Sequence, residues 1–248
     1  MKRLGLIADV HGNLFALEAV LAELEREGLD GLVCLGDVAV GPQAAECVAR
    51  VRGLGCPVVQ GNWDAWFLDG IPAAADELGE RLAEIGAWWA ATLSEEDRAW
   101  LRGFVPSLEL ELEDETTVLC FHGSPRSNVE RIVSETPDDL LAEMLDGRRG
   151  DILAGGHTHL QLLRRYERCL LLNPGSVGLP FTDWWTDRIR IAPWAEYAIV
   201  ASDGGRLEID LRRTSYDVGA LLELSLGSGM PHARWWADSW LPELALAR

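Results

Sequence analysis

Leu4-Gly5-Leu6-Ile7-Ala8-Asp9-Val10-His11-Gly12-Asn13 begins as a short apolar run and ends in a turn rich in polar donors. An apolar run of this length bounded by turn residues reads as a buried strand. Asn13 is suited to cap a helix, and Leu14, Leu17, Leu21 and Leu24 then fall on one helical face. Gly31 to Leu35 reads as a second buried strand, Ala44 to Val51 as a helix and Pro57 to Gln60 as a third strand. A β-α-β-α-β opening predicts parallel strands joined by right-handed crossovers.

Further along, residues 76–101 read as helical, as one helix or as two broken near Thr92-Leu93-Ser94, with Ser94 as the second N-cap. Leu108, Leu110 and Leu112 alternate with acids, the mark of a strand wet on one face. Val118 to Phe121, Ile152 to Ala154, Leu160 to Tyr166, Leu170 to Leu172, Tyr197 to Ala201 and Leu207 to Leu211 read as strands. Thr136-Pro137 starts a helix that reaches about Leu145, and a last helix spans Val218 to Leu226. The organisation is that of a single domain over 1–248, with a helical segment near 76–102 and a C-terminal extension near 218–248.

The net charge of -18 argues against long nucleic acid as a partner, because backbone binding needs Lys and Arg to displace counterions. It leaves room for a small phosphorylated ligand if divalent cations invert the local sign. No apolar run approaches the roughly 18 residues of a membrane span, and the N-terminal stretch is too short for a signal peptide, so a cytoplasmic location is expected. The five cysteines have no paired spacing, and Cys34 and Cys120 sit in apolar runs as buried thiols.

Four of the five histidines fall in short segments with other oxygen and nitrogen donors. The segments are Asp9-Val10-His11, Gly36-Asp37, Gly61-Asn62-Trp63-Asp64, His122-Gly123 and Gly156-His157-Thr158-His159. Carboxylate, amide and imidazole together suit Mn, Fe, Zn and similar ions. Each segment alone has a plainer reading: a turn, a helix cap at Asn62, surface histidines at 157 and 159. Each nevertheless follows a predicted strand by one to three residues, and ligand sites in open α/β sheets gather at the carboxyl ends of strands.

In this order the segments resemble the blocks of the calcineurin-like metallophosphoesterase superfamily, and more narrowly its small bacterial and archaeal phosphodiesterases. Asn173-Pro174-Gly175-Ser176-Val177-Gly178 and Arg213-Thr214-Ser215-Tyr216-Asp217 match that group as well. The resemblance implies a four-layer α/β/β/α sandwich, two mixed sheets flanked by helices. It implies two divalent metals of the Mn, Fe, Zn, Ni or Co type. Asp9, His11 and His159 would hold one, Asn62, His122 and His157 the other, and Asp37 would bridge them. Asp37, Asn62 and His122 then stand at the catalytic centre, where a metal-bridging hydroxide attacks phosphorus in line. The expected activity is that of a phosphodiesterase on small substrates. The alternatives are a phosphomonoesterase or protein serine/threonine phosphatase, and a non-catalytic scaffold on the same fold.

The sequence departs from the family at Trp63, where many members carry the histidine thought to protonate the leaving oxygen. Indole has one N–H and no usable acid. Trp63 is read as stacking on an aromatic substrate group or as packing, Asp64 as holding the loop backbone or a ligand, or as a turn residue. Arg126 is read as a phosphoryl clamp or a surface ion pair, Asn13 as a helix cap or a phosphate contact. Asn173 to Ser176 reads first as a tight turn beside the site. Trp184, Trp185, Trp194, Trp235, Trp236 and Trp240 gather late in the chain, as core packing, as a wall over the pocket or as a homo-oligomer contact. His232 lies outside every segment and is read as structural or exposed.

Overall fold

The computed structural model describes residues 2–112, 115–183 and 189–241. The chain runs β1 (Lys2–Ile7), α1 (Leu14–Leu24), β2 (Gly31–Cys34), α2 (Ala44–Leu54), α3 (Asn62–Asp69), α4 (Glu77–Ala90) and α5 (Glu95–Leu101). It continues through β3 (Ser107–Glu111), β4 (Thr117–Phe121), α6 (Asp138–Leu145), β5 (Ile152–Ala154), β6 (Leu162–Tyr166) and β7 (Cys169–Asn173). It ends with β8 (Phe181–Asp183), β9 (Arg190–Ile191), β10 (Trp194–Asp203), β11 (Arg206–Ser215), α7 (Val218–Gly227) and α8 (Ala233–Ala237).

Two sheets carry the fold. One has the order β11-β10-β1-β2, the other β3-β4-β5-β7-β6. β1 and β2 are parallel, as are β4, β5 and β7, while β10, β11, β3 and β6 join antiparallel, so both sheets are mixed. Alternation along the strands builds the layers, because successive side chains point to opposite faces. Leu4, Leu6 and Ala8 meet Val118, Cys120, Ile152 and Ala154 in a core between the sheets. Ile7 instead joins the residues of α1 and α2 in a second core, and Leu119, Phe121 and Leu153 join Leu141, Met144 and Leu145 of α6 in a third. Three cores separate four layers, helices outside and sheets within. Strands 194–215 return late to complete the sheet begun by β1, the pairing that only a long-range contact sets.

Local chemistry explains the helix ends. Asn13 accepts the Ala16 N–H at 3.0 Å, Asp76 accepts from Gly79, and Ser94 and Asp97 exchange side-chain and backbone bonds as a capping box. Thus 76–101 is two helices, split where Ser94 restarts the second. The expected third strand is reduced to single bridges, Cys34 with Val58 and Val59 with Val105. The β8–β9 hairpin and α3 are additions to the expected elements, and α3 begins at Asn62 with Gly61 as its cap. Cys34, Cys47 and Cys120 are buried free thiols. Among the described residues no helix is long and apolar enough to cross a membrane.

Candidate metal centre

The donors converge at one edge of the sandwich. Asp9 and His11 lie between β1 and α1, Asp37 follows β2, Asn62 opens α3, His122 follows β4, and His157 and His159 follow β5. These are the carboxyl ends of parallel strands. Asp9, His11, Asp37, His157 and His159 all adopt positive φ, between 46° and 66°, and make up five of the nine such non-glycine residues described. Each costs on the order of 1–3 kcal/mol and persists only where the surroundings over-determine it. Here they do: the Asp9 N–H donates to Gly36 O at 3.0 Å and the His11 N–H to Asp37 O at 3.0 Å, tying the first two loops together. Gly61 is required beside them, because a Cβ there would stand 2.1 Å from Asp37 Oδ1.

Donor atoms of Asp9, His11 and His159 lie within 4.8 Å of one another, and so do those of Asp9, Asp37 and His122. Asp37 Oδ2 stands between the two groups, 3.5 Å from His11 Nε2 and 3.7 Å from His122 Nε2. Asp9 Oδ1 is 3.3 Å from His159 Nε2 and 3.9 Å from both His11 and His122 Nε2, so Asp9 belongs to both groups rather than to one. Asn62 Oδ1 lies 3.1 Å from His122 Nε2. His157 sits one ring further out, its imidazole 5.2 Å from that of His122, while its backbone N–H donates to Asp9 Oδ2.

The backbone sets the tautomers. His122 Nδ1 meets Leu35 O at 2.6 Å and His159 Nδ1 meets Leu179 O at 2.8 Å. A carbonyl only accepts, so each Nδ1 carries a proton, and each Nε2 is the ring atom turned inward. His122 Nε2 faces the Asn62 oxygen at 3.1 Å, and His159 Nε2 meets His11 Nε2 at 3.0 Å, a contact in which the proton comes from one ring or the other. Asp9 Oδ1, fully buried, has no hydrogen-bond partner among the described residues. A buried carboxylate oxygen without a donor, ringed by three imidazole nitrogens, is an arrangement that a cation would resolve.

Protonation agrees. Burial raises the Asp9 carboxyl, but the surrounding imidazoles, His159 foremost, outweigh it and hold the group well below the usual carboxylate range. Burial, then His159, pushes His11 well below its ordinary value, and burial with His122 takes His157 down to about 3. Asp37 is pushed up by burial and by the charges of Asp64 and Asp9. Neutral imidazoles at His11 and His157 are in ligand-competent form, and a cation would offset the crowding of negative charge at Asp37.

Residues 1–188 match the model of the calcineurin-like phosphoesterase superfamily domain. The chain belongs to the calcineurin-like phosphoesterase superfamily. A metallophosphoesterase from Sphaerobacter thermophilus is 26% identical, superimposes with a TM-score of 0.73, and shares 95% of this chain and 97% of its own. A hypothetical protein from Pyrococcus horikoshii OT3, 21% identical, has the same fold with a TM-score of 0.76 over 93% of this chain and 95% of its own. An uncharacterized protein from Methanocaldococcus jannaschii is 28% identical over 92% of this chain and 93% of its own.

Around this candidate centre, several residues are placed otherwise than as substrate contacts. Asn13 is buried; its oxygen caps α1 and its Nδ2 donates to Gly178 O and to Tyr216 OH, leaving nothing for phosphate. Arg126 is spent on Glu130 through Nε and Nη2, the ion pair rather than the clamp. Trp63 turns its indole away onto α4 and packs edge-on to Trp66 and Phe67, 5.0 and 5.9 Å between centroids. A Cβ on Gly86 of α4 would stand 2.5 Å from that indole. Gly86→Ala therefore sets a helix-propensity gain of about 1 kcal/mol against overpacking of about 1–3 kcal/mol. The expected result is a lower Tm, recovered when Trp63 is shortened in the same chain.

Asp64 is the strut of the site. Its carboxylate accepts N–H groups from Asp37 (2.7 Å), Val38 (3.0 Å), Ala39 (3.1 Å) and Gly61 (3.1 Å). Burial pushes its pKa up, and the four donors, two on each oxygen, oppose protonation, since a proton on either oxygen would meet a donor. Asn173 and Ser176 carry more than a turn: Asn173 Nδ2 donates to Gly156 O and Thr158 Oγ, and Ser176 Oγ donates to Asp9 O. The sequence marks these residues only as a turn beside the site, because the targets of the bracing lie in other loops. Trp236 and Trp240 are buried in the core with Trp89, the packing reading, and His232 caps α8 and meets Glu84 at 2.8 Å. Trp184 and Trp185 lie outside the described residues.

Proposed function

We propose that this chain is a dinuclear metal-dependent phosphodiesterase for small substrates. The observation that carries the reading is the buried Asp9 Oδ1, without a hydrogen-bond partner among the described residues, faced by Nε2 of His11, His122 and His159, with Asp37 Oδ2 between His11 and His122. Asp9, His11 and His159 would hold one cation and Asn62, His122 and His157 the other, with Asp37 between and Asp9 Oδ1 within reach of both groups. When bound, two divalent cations neutralise charge on the phosphoryl group and supply a nucleophile at neutral pH. The chain's own work is positional: Leu35 O and Leu179 O aim the imidazoles, and Asp64 holds the loop that carries Asp37. Asn62, His122 and Asp37 are the groups on which the reacting centre rests.

A diester is favoured over a monoester by charge. Arg126 is committed to Glu130, and a monoanionic diester needs less counter-charge from the protein than a dianionic monoester. The net charge of -18 turns long polyanions away and favours small esters. Paired mono- and diesters with one leaving group separate this activity from that of a phosphomonoesterase or protein phosphatase. Diester turnover is expected to exceed monoester turnover, and the reverse order would overturn the assignment.

Metal removal tests the centre itself. Addition of Mn, Fe, Zn, Ni or Co to chelator-treated protein at a hundred times Kd is expected to add about 2.7 kcal/mol of stability. For a chain of this size that is a rise of roughly 5–10 °C in Tm. Neither a Tm shift nor diester hydrolysis with any of these ions would leave the scaffold reading instead.

The missing acid sets a second result. With Trp63 packed on α4, the leaving oxygen departs without an imidazole from this position. Turnover is expected to fall steeply as the leaving group becomes a poorer one, and Trp63→His to raise the poor substrates selectively, within the roughly 10²–10⁴-fold range of general acid catalysis. Equal gains on good and poor leaving groups would sink the idea.

A further inference from the structure

We propose that Phe181 is a positioning residue for His159, and that the chain at 239–241 holds Phe181 in place. The inference rests on the reading of His159 as a metal ligand. His159 aims Nε2 inward and anchors Nδ1 on Leu179 O at 2.8 Å. Nδ1 lies off the Cβ–Cγ axis, so that single hydrogen bond already limits ring rotation, within the latitude of one bond. Phe181 adds a second restraint on the ring plane: its ring stacks on the imidazole at 4.3 Å between centroids and 26° between planes. The Phe181 N–H also donates to His159 O at 3.2 Å, so the two residues are locked by backbone and by ring face. His122, the other imidazole anchored through Nδ1, is met by the tilted ring of His157 at 56°.

Phe181 has a built support. It pairs with Ile191 across the β8–β9 hairpin, and Ala192 N–H closes onto Pro180 O at 2.8 Å. Ile191 is then clamped from the far side: its N–H donates to Ser239 O at 2.8 Å and its O accepts from Leu241 N–H at 3.0 Å. Between those two residues Trp240 is buried and meets Trp236 and Tyr216 edge-on at 5.5 and 6.4 Å. Tyr216 OH accepts from Asn13, the residue that caps the helix after His11. The last described turn of the chain thus reaches the metal centre through two routes, the aromatic stack on His159 and the Asn13 bond.

The test compares Phe181→Leu, which keeps apolar bulk but loses the flat face, with Phe181→Tyr, which keeps both. Calorimetric titration with Mn is expected to show one of two sites weakened about 10-fold in Phe181→Leu, the scale of losing an outer partner of a ligand, and both retained in Phe181→Tyr. A residue that merely filled space would lower Tm without separating the two sites. Nitrogen-detected imidazole spectra of the metal-free full chain give an independent readout. The His159 Nδ1–H signal is expected to be sharp in wild type and Phe181→Tyr and exchange-broadened in Phe181→Leu. Leu241→Pro removes one clamping N–H far from the centre and is expected to broaden the same signal. Wild-type behaviour of Phe181→Leu in both measurements overturns the role of Phe181, and an unchanged signal in Leu241→Pro overturns that of 239–241. If wild type takes up no metal, the metal reading falls, and the imidazole signal alone decides the positioning role.

Discussion

Asp37→Asn is expected to lower diester turnover by roughly 10³-fold or more, beyond the 10²–10³-fold typical of removing one electrostatic stabiliser. The reason is charge at a shared position. Asp37 Oδ2 faces both His11 and His122, whereas Oδ1 accepts the Trp63 N–H at 2.9 Å. An asparagine keeps an oxygen for Trp63 and turns an NH₂ toward the two imidazoles. The variant therefore folds, and without metal it is as stable as wild type or more so. A buried carboxylate crowded by Asp64 and Asp9 has gone, and a neutral amide has taken its place. With metal the order reverses, because the anion that offsets cation–cation repulsion is lost. Melting both proteins with chelator and with Mn checks this. A variant that is destabilised without metal, or that keeps its metal-induced shift, contradicts the bridging assignment.

Asp64→Ala is expected to cost at least about 4 kcal/mol, because four buried N–H groups lose their acceptor at about 1–3 kcal/mol each. That is comparable with the whole margin of a domain whose stability is about 5–15 kcal/mol. Asp64→Asn is expected to fall between, since its NH₂ would face two of the donors while its oxygen serves the other two. The loop that these bonds hold is the one that presents Asp37, so metal affinity in Asp64→Asn is expected to drop about 10–100-fold. Urea unfolding of both variants provides the measurement. A loss under about 1 kcal/mol in Asp64→Ala would mean that water replaces the carboxylate, and the strut would be no strut.

The centre was readable wherever chemistry and chain direction coincide. Asp9, Asp37, Asn62, His122 and His157 each follow an apolar run, and parallel strands deliver their carboxyl ends to one edge. The alternation that splits Ile7 from Leu6, and Leu119 from Cys120, encodes the layers. What stayed hidden was which way each polar side chain turns. Asn13, Arg126 and Trp63 have the functional groups of substrate contacts. Yet Asn13 is consumed by Tyr216 and Gly178, Arg126 by Glu130, and Trp63 by the gap over Gly86. Their partners lie 4 to 203 positions away, and none is implied by the residue itself.

By itself the sequence determined the donor set, its order and the strands that carry it, because backbone periodicity and ligand chemistry are local properties. The tertiary structure alone decided the tautomers of His122 and His159, the place of Asp9 in both donor groups, the four-fold grip of Asp64 and the stack of Phe181 on His159. Each of those depends on atoms from loops far apart in the chain meeting within hydrogen-bond or van der Waals range. Only the packing of two sheets fixes such distances.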